Sequence, residues 1–237
     1  MEKKKFPSSC TVSNFNPTAN NFCHCFETLS DEEIKMLEGS KLEVSYKKGE
    51  IVCKQGTFAS HILFLCSGLV KVYLEEGEDI LTLKIVPQGN IIGLTSLSKY
   101  NQVFPYSVKA YQDSVVRLFD LNTFRQVIRQ NALFASEVID YLCENKIQIN
   151  SRFFSFQHKQ SYGRVADILL CLANRIFKQK EFELNISRQE LADLTGLSRE
   201  RVIRIIKTFK DDKLIGISGR TITILDDEGL QGISLRG

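Results

Sequence analysis

The chain has 237 residues, 43% of them hydrophobic, and a formal net charge of +3, which suits two packed domains and excludes a disordered or fibrous polymer. Its longest apolar run, Ile168 to Ala173, falls far short of the roughly 20 residues of a membrane span. Basic residues 1–5 lead into Phe6, Pro7, Ser8 and Ser9 where a signal peptide would be apolar, so the expected location is the cytoplasm. There the seven scattered cysteines are expected to be free thiols, with metal ligands or redox switches as the alternatives.

Residues 1–25 show no sustained period and form an irregular arm holding Cys10, Cys23, His24 and Cys25. A short helix follows, for which Ser30 is the cap, Glu33 the capping-box partner, and Ile34 and Leu37 the apolar side. From Leu42 to Asp120 the apolar runs are short and broken by glycines such as Gly49, Gly56, Gly68, Gly77, Gly89 and Gly93. Leu42-Val44-Tyr46, Leu69-Val70-Val72-Tyr73, Leu81-Leu83-Ile85 and Val115-Val116-Leu118 repeat with a period near two, which is the pattern of strands. Residues 26–120 therefore read as an all-β sensor domain, a roll, sandwich or barrel.

Residues 121–157 read as connecting helices, with one over 121–131 and a long one over 134–156 that contains neither Gly nor Pro. Val138, Leu142, Asn145, Ile149, Arg152 and Phe156 follow the alternating spacing of a coiled-coil seam, which predicts a homodimer. Packing against the chain's own β domain would use the same pattern. The helix is long enough to outrun such a domain, and this favours a second copy.

Residues 1–157 balance 17 basic against 17 acidic side chains, whereas residues 158–237 carry 14 against 11. The excess gathers over 198–210, where Arg199, Arg201, Arg204, Lys207 and Lys210 face only Glu200. Such a patch suits phosphates. Within it lies the most specific pattern of the chain. Ser187 with Glu190 starts a helix, Ala192 is small where helices cross, Gly196 can turn left-handed, and Ser198 starts a second helix. Val202 and Ile205 face inward, and the spacing is that of a helix-turn-helix. At about 100° per residue, Val202, Ile205, Ile206 and Phe209 share one side while Glu200, Arg204 and Lys207 take the other. Arg199 leads the second helix into the major groove. Arg199, Glu200 and Arg204 are the base-reading set, by Arg-guanine and Glu-cytosine pairing, and Ser198, Arg201 and Lys207 meet phosphate. Residues 214–217 and 221–225, joined through Ser218-Gly219, form the hairpin of a winged helix.

Taken together, residues 26–237 resemble the CRP/FNR family of bacterial transcription regulators. The resemblance is carried by Lys48-Gly49-Glu50, Gly68-Leu69-Val70-Lys71-Val72, Gly89-Asn90-Ile91-Ile92-Gly93, the long helix and Ser198-Arg199-Glu200-Arg201-Val202-Ile203-Arg204. It implies an α+β chain with a cyclic-nucleotide-binding-like jelly roll, a dimerisation helix and a C-terminal winged helix-turn-helix over 158–237. It further implies double-stranded DNA with a palindromic operator, RNA polymerase as a partner, and base reading by Arg199, Glu200 and Arg204. Ile203 stands where the family commonly has a small or polar residue.

The resemblance places an effector pocket at Gly93, Leu94, Thr95 and Phe104. In cyclic-nucleotide-binding members, Glu follows the glycine to hold the ribose hydroxyl, and an Arg-Ser pair further on holds the phosphate. Here Leu94 takes the Glu position, and Phe104 and Pro105 take those of Arg and Ser, which argues against cAMP because neither Leu nor Phe can make the required bonds. The FNR branch holds an iron-sulfur cluster on clustered N-terminal cysteines. Cys10, Cys23 and Cys25 depart from its spacing, and four thiolates are usual. Haem could use His24, His61 or His158, although each has an ordinary explanation as a surface histidine. No metal or cofactor is therefore assigned. A cupin-type enzyme would need two or three histidines converging in the roll, which has only His61, so no catalysis is expected. A regulatory module that acts through a protein partner is the alternative to DNA binding, but it would not need the outward charges of Arg199, Arg204 and Lys207.

Overall fold

The computed structural model describes residues 24–236, which fall into two compact units. One comprises the chain up to Leu74 together with Ile85–Lys146, and the other comprises Glu75–Lys84 together with the chain from Ile147 onward. This division departs from the consecutive one expected from the sequence. The tip of one β-hairpin belongs with the C-terminal unit, and the long helix is shared.

The first unit begins with a 3-10 turn at His24–Thr28 and helix α1 at Asp31–Gly39. Ser30 and Glu33 cap α1 reciprocally as expected. Eight strands follow: β1 (Leu42–Tyr46), β2 (Ile51–Cys53), β3 (His61–Ser67), β4 (Leu69–Glu76), β5 (Asp79–Pro87), β6 (Ile91–Ile92), β7 (Ser107–Ala110) and β8 (Ser114–Asp120). They form two four-stranded sheets ordered β1-β8-β3-β6 and β2-β7-β4-β5. The expected alternation is only partial, since β4 is buried at five consecutive positions and β3 at four of seven. On β3 one side packs on helices: Ile62 and Phe64 meet a cluster that includes Phe26, Phe119, Phe124, Phe134 and Val138. Arg117 of β8, 1% exposed, is held by Glu38 and Glu43 at 3.3 and 3.2 Å, which supplies the partners a buried guanidinium requires.

Helix α2 (Leu121–Gln130) is capped by Asp120, whose carboxylate accepts from the Thr123 amide at 2.8 Å. Helix α3 runs without a break over Ala132–His158, two residues longer at each end than expected. Its first half is pinned to the roll by Tyr141, whose hydroxyl accepts from the Ile91 amide and bonds Asn90 Oδ1, both at 3.1 Å.

In the second unit, α4 (Ser161–Cys171) continues as a π-helical stretch, Leu172–Phe177, before β9 (Glu181–Glu183), α5 (Arg188–Thr195) and α6 (Arg199–Asp211). Strands β10 (Ile215–Ser218) and β11 (Thr221–Ile224) form the expected hairpin, and α7 (Asp227–Arg236) packs along α4. Strand β9, which pairs with β11 to make the wing a three-stranded sheet, and helix α7 are not among the elements expected from the sequence. Asp167 of α4 ties helices together, accepting from Ser155 at 2.6 Å, from Lys159 at 2.7 Å and from Ser234 of α7. Among the described residues no helix is long and apolar enough to cross a membrane.

Candidate nucleic-acid interface

Helix α5 starts where its sequence says it should. Ser187 accepts from the Glu190 amide at 3.1 Å while Glu190 accepts from the Ser187 amide at 2.6 Å, so two amides left open at the helix start are satisfied. It ends at Gly196, whose φ of +62° is left-handed and whose amide donates to the Ala192 carbonyl. Space also demands glycine there, since a Cβ would lie 2.8 Å from Phe156 Cε1. Ser198 then caps α6 by accepting from the Arg201 amide at 3.3 Å.

Val202, Ile205, Ile206 and Phe209 anchor α6 with between 0 and 3% exposure. Arg199, Glu200, Arg201, Arg204 and Lys207 are all exposed on the rest of the helix. The arrangement expected from the helical projection is thus present: an apolar side holds the helix, and a charged side is available to a ligand. Arg220, exposed at the tip between β10 and β11, adds a cation that the sequence reading did not single out. Its signal was available in the Ser218-Gly219 turn beside it.

The six seam residues all make contacts within the chain. Val138 is buried in the core of the first unit, Leu142 packs against that core, and Asn145 donates to the Tyr141 carbonyl at 2.8 Å. Ile149, Arg152 and Phe156 instead line a small cleft with Leu81, Thr82 and Leu83 of the β4–β5 hairpin. Arg152 donates from Nε to the Thr82 carbonyl at 2.9 Å and from Nη2 to the Leu194 carbonyl at 2.5 Å. Its guanidinium also lies 4.8 Å from the Phe156 ring centre. A cation at the last turn of α5 complements the negative end of that helix, so Arg152 and Phe156 together support the helix-turn-helix. The heptad-spaced residues thus make contacts within the chain, the alternative that the same pattern allows. Besides Leu133 near its start, the outward apolar residues of α3 are Ile139, Ile147, Phe153 and Phe154, with Cys143 also exposed; these five are centred about 130° round the helix from the expected seam.

The expected effector residues gather around Gly93. Leu94 is part of the hydrophobic core of the first unit. Gly93 has φ of +91°, and the Phe104 ring closes over it, 3.2 Å from where a Cβ would be. The Gly93 amide donates to the Tyr106 hydroxyl at 3.0 Å, and Tyr106 is hydrogen-bonded to the side chain of Thr95, itself exposed. Burial holds the Tyr106 phenol above its usual range and pushes the Cys53 thiol up to about 12.

Of the cysteines considered as ligands, Cys25 is buried and disulfide-bonded, contrary to the expected free thiol. Cys10 and Cys23 lie outside the described residues. Among the described residues no three His, Cys, Asp or Glu side chains converge as metal ligands would.

Comparison with known proteins agrees with this geometry. The sequence matches the cyclic nucleotide-binding domain over residues 43–131 and the Crp-like helix-turn-helix domain over residues 163–233. It is 27% identical over 184 residues to the cAMP-activated global transcriptional regulator CRP of Salmonella typhimurium, covering 76% of this chain and 87% of that protein. It is 24% identical to the transcriptional activator protein anr of Pseudomonas aeruginosa, covering 76% and 75% of the two chains. The solved structure of FixK2 from Bradyrhizobium japonicum shares the fold, with a TM-score of 0.75 at 20% identity over 81% of this chain and 96% of that one. With a jelly roll at one end, a winged helix-turn-helix at the other, and both domain matches in that order, the chain belongs to the CRP/FNR family of DNA-binding transcription regulators.

Proposed function

We propose that the protein binds a palindromic operator as a homodimer, with Arg199, Glu200 and Arg204 reading bases and Ser198, Arg201 and Lys207 holding phosphates. The observation that carries this reading is the division of α6, whose four apolar residues are buried while its charged residues stand in solvent. Arginine pairs bidentately with guanine and glutamate accepts from the cytosine amino group. Lysine neutralises phosphate without regard to sequence. The Ser198 oxygen already accepts in the helix cap, so the hydroxyl approaches phosphate as a donor. RNA polymerase is the further partner that family membership suggests.

The dimer uses the outward stripe of α3, Ile139, Cys143, Ile147 and Phe154, in place of the residues that pack within the chain. A second copy is the fitting occupant because these residues recur at steps of four, four and seven along one unbroken helix, the spacing by which two such helices interlock. Two-fold symmetry then presents two copies of α6 to half-sites about one helical turn apart. The roll controls this activity through an effector or redox signal other than cAMP.

Binding-site selection from random duplexes at fixed salt tests the reading. Arg204→Ala is expected to cost about 1 to 3 kcal/mol and to relax preference at one G·C pair per half-site. Lys207→Ala is expected to weaken all sequences alike and to flatten the salt dependence by about one unit of slope. Unchanged affinity and preference in Arg204→Ala would remove the assignment of the reading face.

A further inference from the structure

Ile203 is 43% exposed on α6, although Val202, Ile205, Ile206 and Phe209 already satisfy the packing of that helix. By helical spacing its surface neighbours are Arg199 and Glu200 one turn back and Lys207 one turn ahead, all exposed and charged. Isoleucine is also a weaker helix former than the straight-chain residues, because its branched side chain is restricted against the preceding turn. Neither packing nor helix formation therefore asks for an isoleucine among these charges. Isolated apolar residues are common on protein surfaces, but this one stands in the midst of the residues that meet the bases.

We infer that Ile203 reads a thymine in each half-site by packing against its C5-methyl group in the major groove. The thymine methyl is the apolar feature of the base edges there, and the other three bases present only hydrogen-bonding groups. Arg199, Glu200 and Arg204 read by hydrogen bonds and favour G·C pairs, so Ile203 supplies the kind of discrimination they lack. The inference rests on the proposed placement of α6 in the groove.

The test replaces each thymine of the selected operator, one position at a time, by deoxyuridine, which removes the methyl and keeps every hydrogen-bonding group. One position is expected to lower wild-type affinity about fourfold for a single substituted half-site, as loss of one buried methyl implies. Ile203→Ala is expected to bind the thymine and deoxyuridine operators equally well at that position, and Ile203→Val to retain a difference. Because the residue is exposed, both variants keep the fold, which their unchanged melting would establish. Equal binding of all deoxyuridine operators by the wild type, or the same loss in Ile203→Ala, would overturn the inference; a concurrent effect of Arg204→Ala would leave the DNA-reading assignment standing. Failure to select any operator would overturn both.

Discussion

In α6 the polar ends of Arg199, Glu200, Arg204 and Lys207 project into solvent above a buried apolar side. Around Gly93 the backbone amide is taken by Tyr106, Tyr106 is bonded by Thr95, and the space over the glycine is filled by Phe104. A surface that waits for a partner leaves its donors and acceptors to water, whereas a segment that meets its own needs has little left to offer a polar ligand. Helix α3 combines the two treatments: Val138 and Tyr141 are committed inward, while Ile139 and Ile147 remain outside.

The largest expected effect separates the two sides of α3. Ile147→Glu places a charge on the outward stripe of each copy, so a symmetric dimer loses two apolar contacts at roughly 2 kcal/mol each. Self-association measured by sedimentation should weaken by about 4 kcal/mol, close to a thousandfold, with the melting of either unit in isolation little changed because the residue is 63% exposed. Undiminished association would mean that this stripe is not the interface.

A second substitution tests how α6 is aimed. Gly196→Ala forces a side chain into a left-handed position and sets its Cβ 2.8 Å from the Phe156 ring. Each strain costs on the order of 1 to 2 kcal/mol, so denaturant unfolding followed by hydrogen exchange over α5 and α6 should show a loss of about 3 kcal/mol. A loss below about 1 kcal/mol would show that Phe156 yields easily and that the turn is not held against α3.

Much of this was legible in the sequence because the relevant rules are local. The Ser187-Glu190 and Ser30-Glu33 capping boxes, the left-handed Gly196 and the two sides of α6 depend on neighbours within one or two turns, and all are present. On α3, heptad spacing identifies which side of a helix is apolar but not what covers it. The hairpin residues Leu81, Thr82 and Leu83 that meet Ile149 and Phe156 lie some 70 positions away in the chain. Strand β9 was missed for a similar reason, since Glu181–Glu183 is short and acquires its identity only by pairing with β11. At the sensor, Leu94 and Phe104 were read as departures from a nucleotide site, but the closure by Tyr106 requires the fold to bring it to Gly93.

The smallest expected effect is the absence of one, and it bears on the sensor half of the comparison. A ligand present at about a hundred times its dissociation constant stabilises the folded state by about 2.7 kcal/mol, a shift of several degrees for a unit of this size. With cAMP at about 1 mM, a site of about 10 μM affinity would therefore be plain in a melting curve of the full chain. No shift is expected. Leu94 has no acceptor for the ribose hydroxyl and is committed to the core, Phe104 brings no charge to the phosphate, and the Gly93 amide is already bonded. Tyr106→Phe sharpens the result, because it releases that amide without adding a cation, and an amide alone does not balance the phosphate charge. The variant should also melt without response to cAMP. A shift in the variant but not in the wild type would locate the barrier in the Tyr106 bond alone, and a shift in both would mean that the loop opens around the nucleotide and that its closure has no bearing on ligand choice.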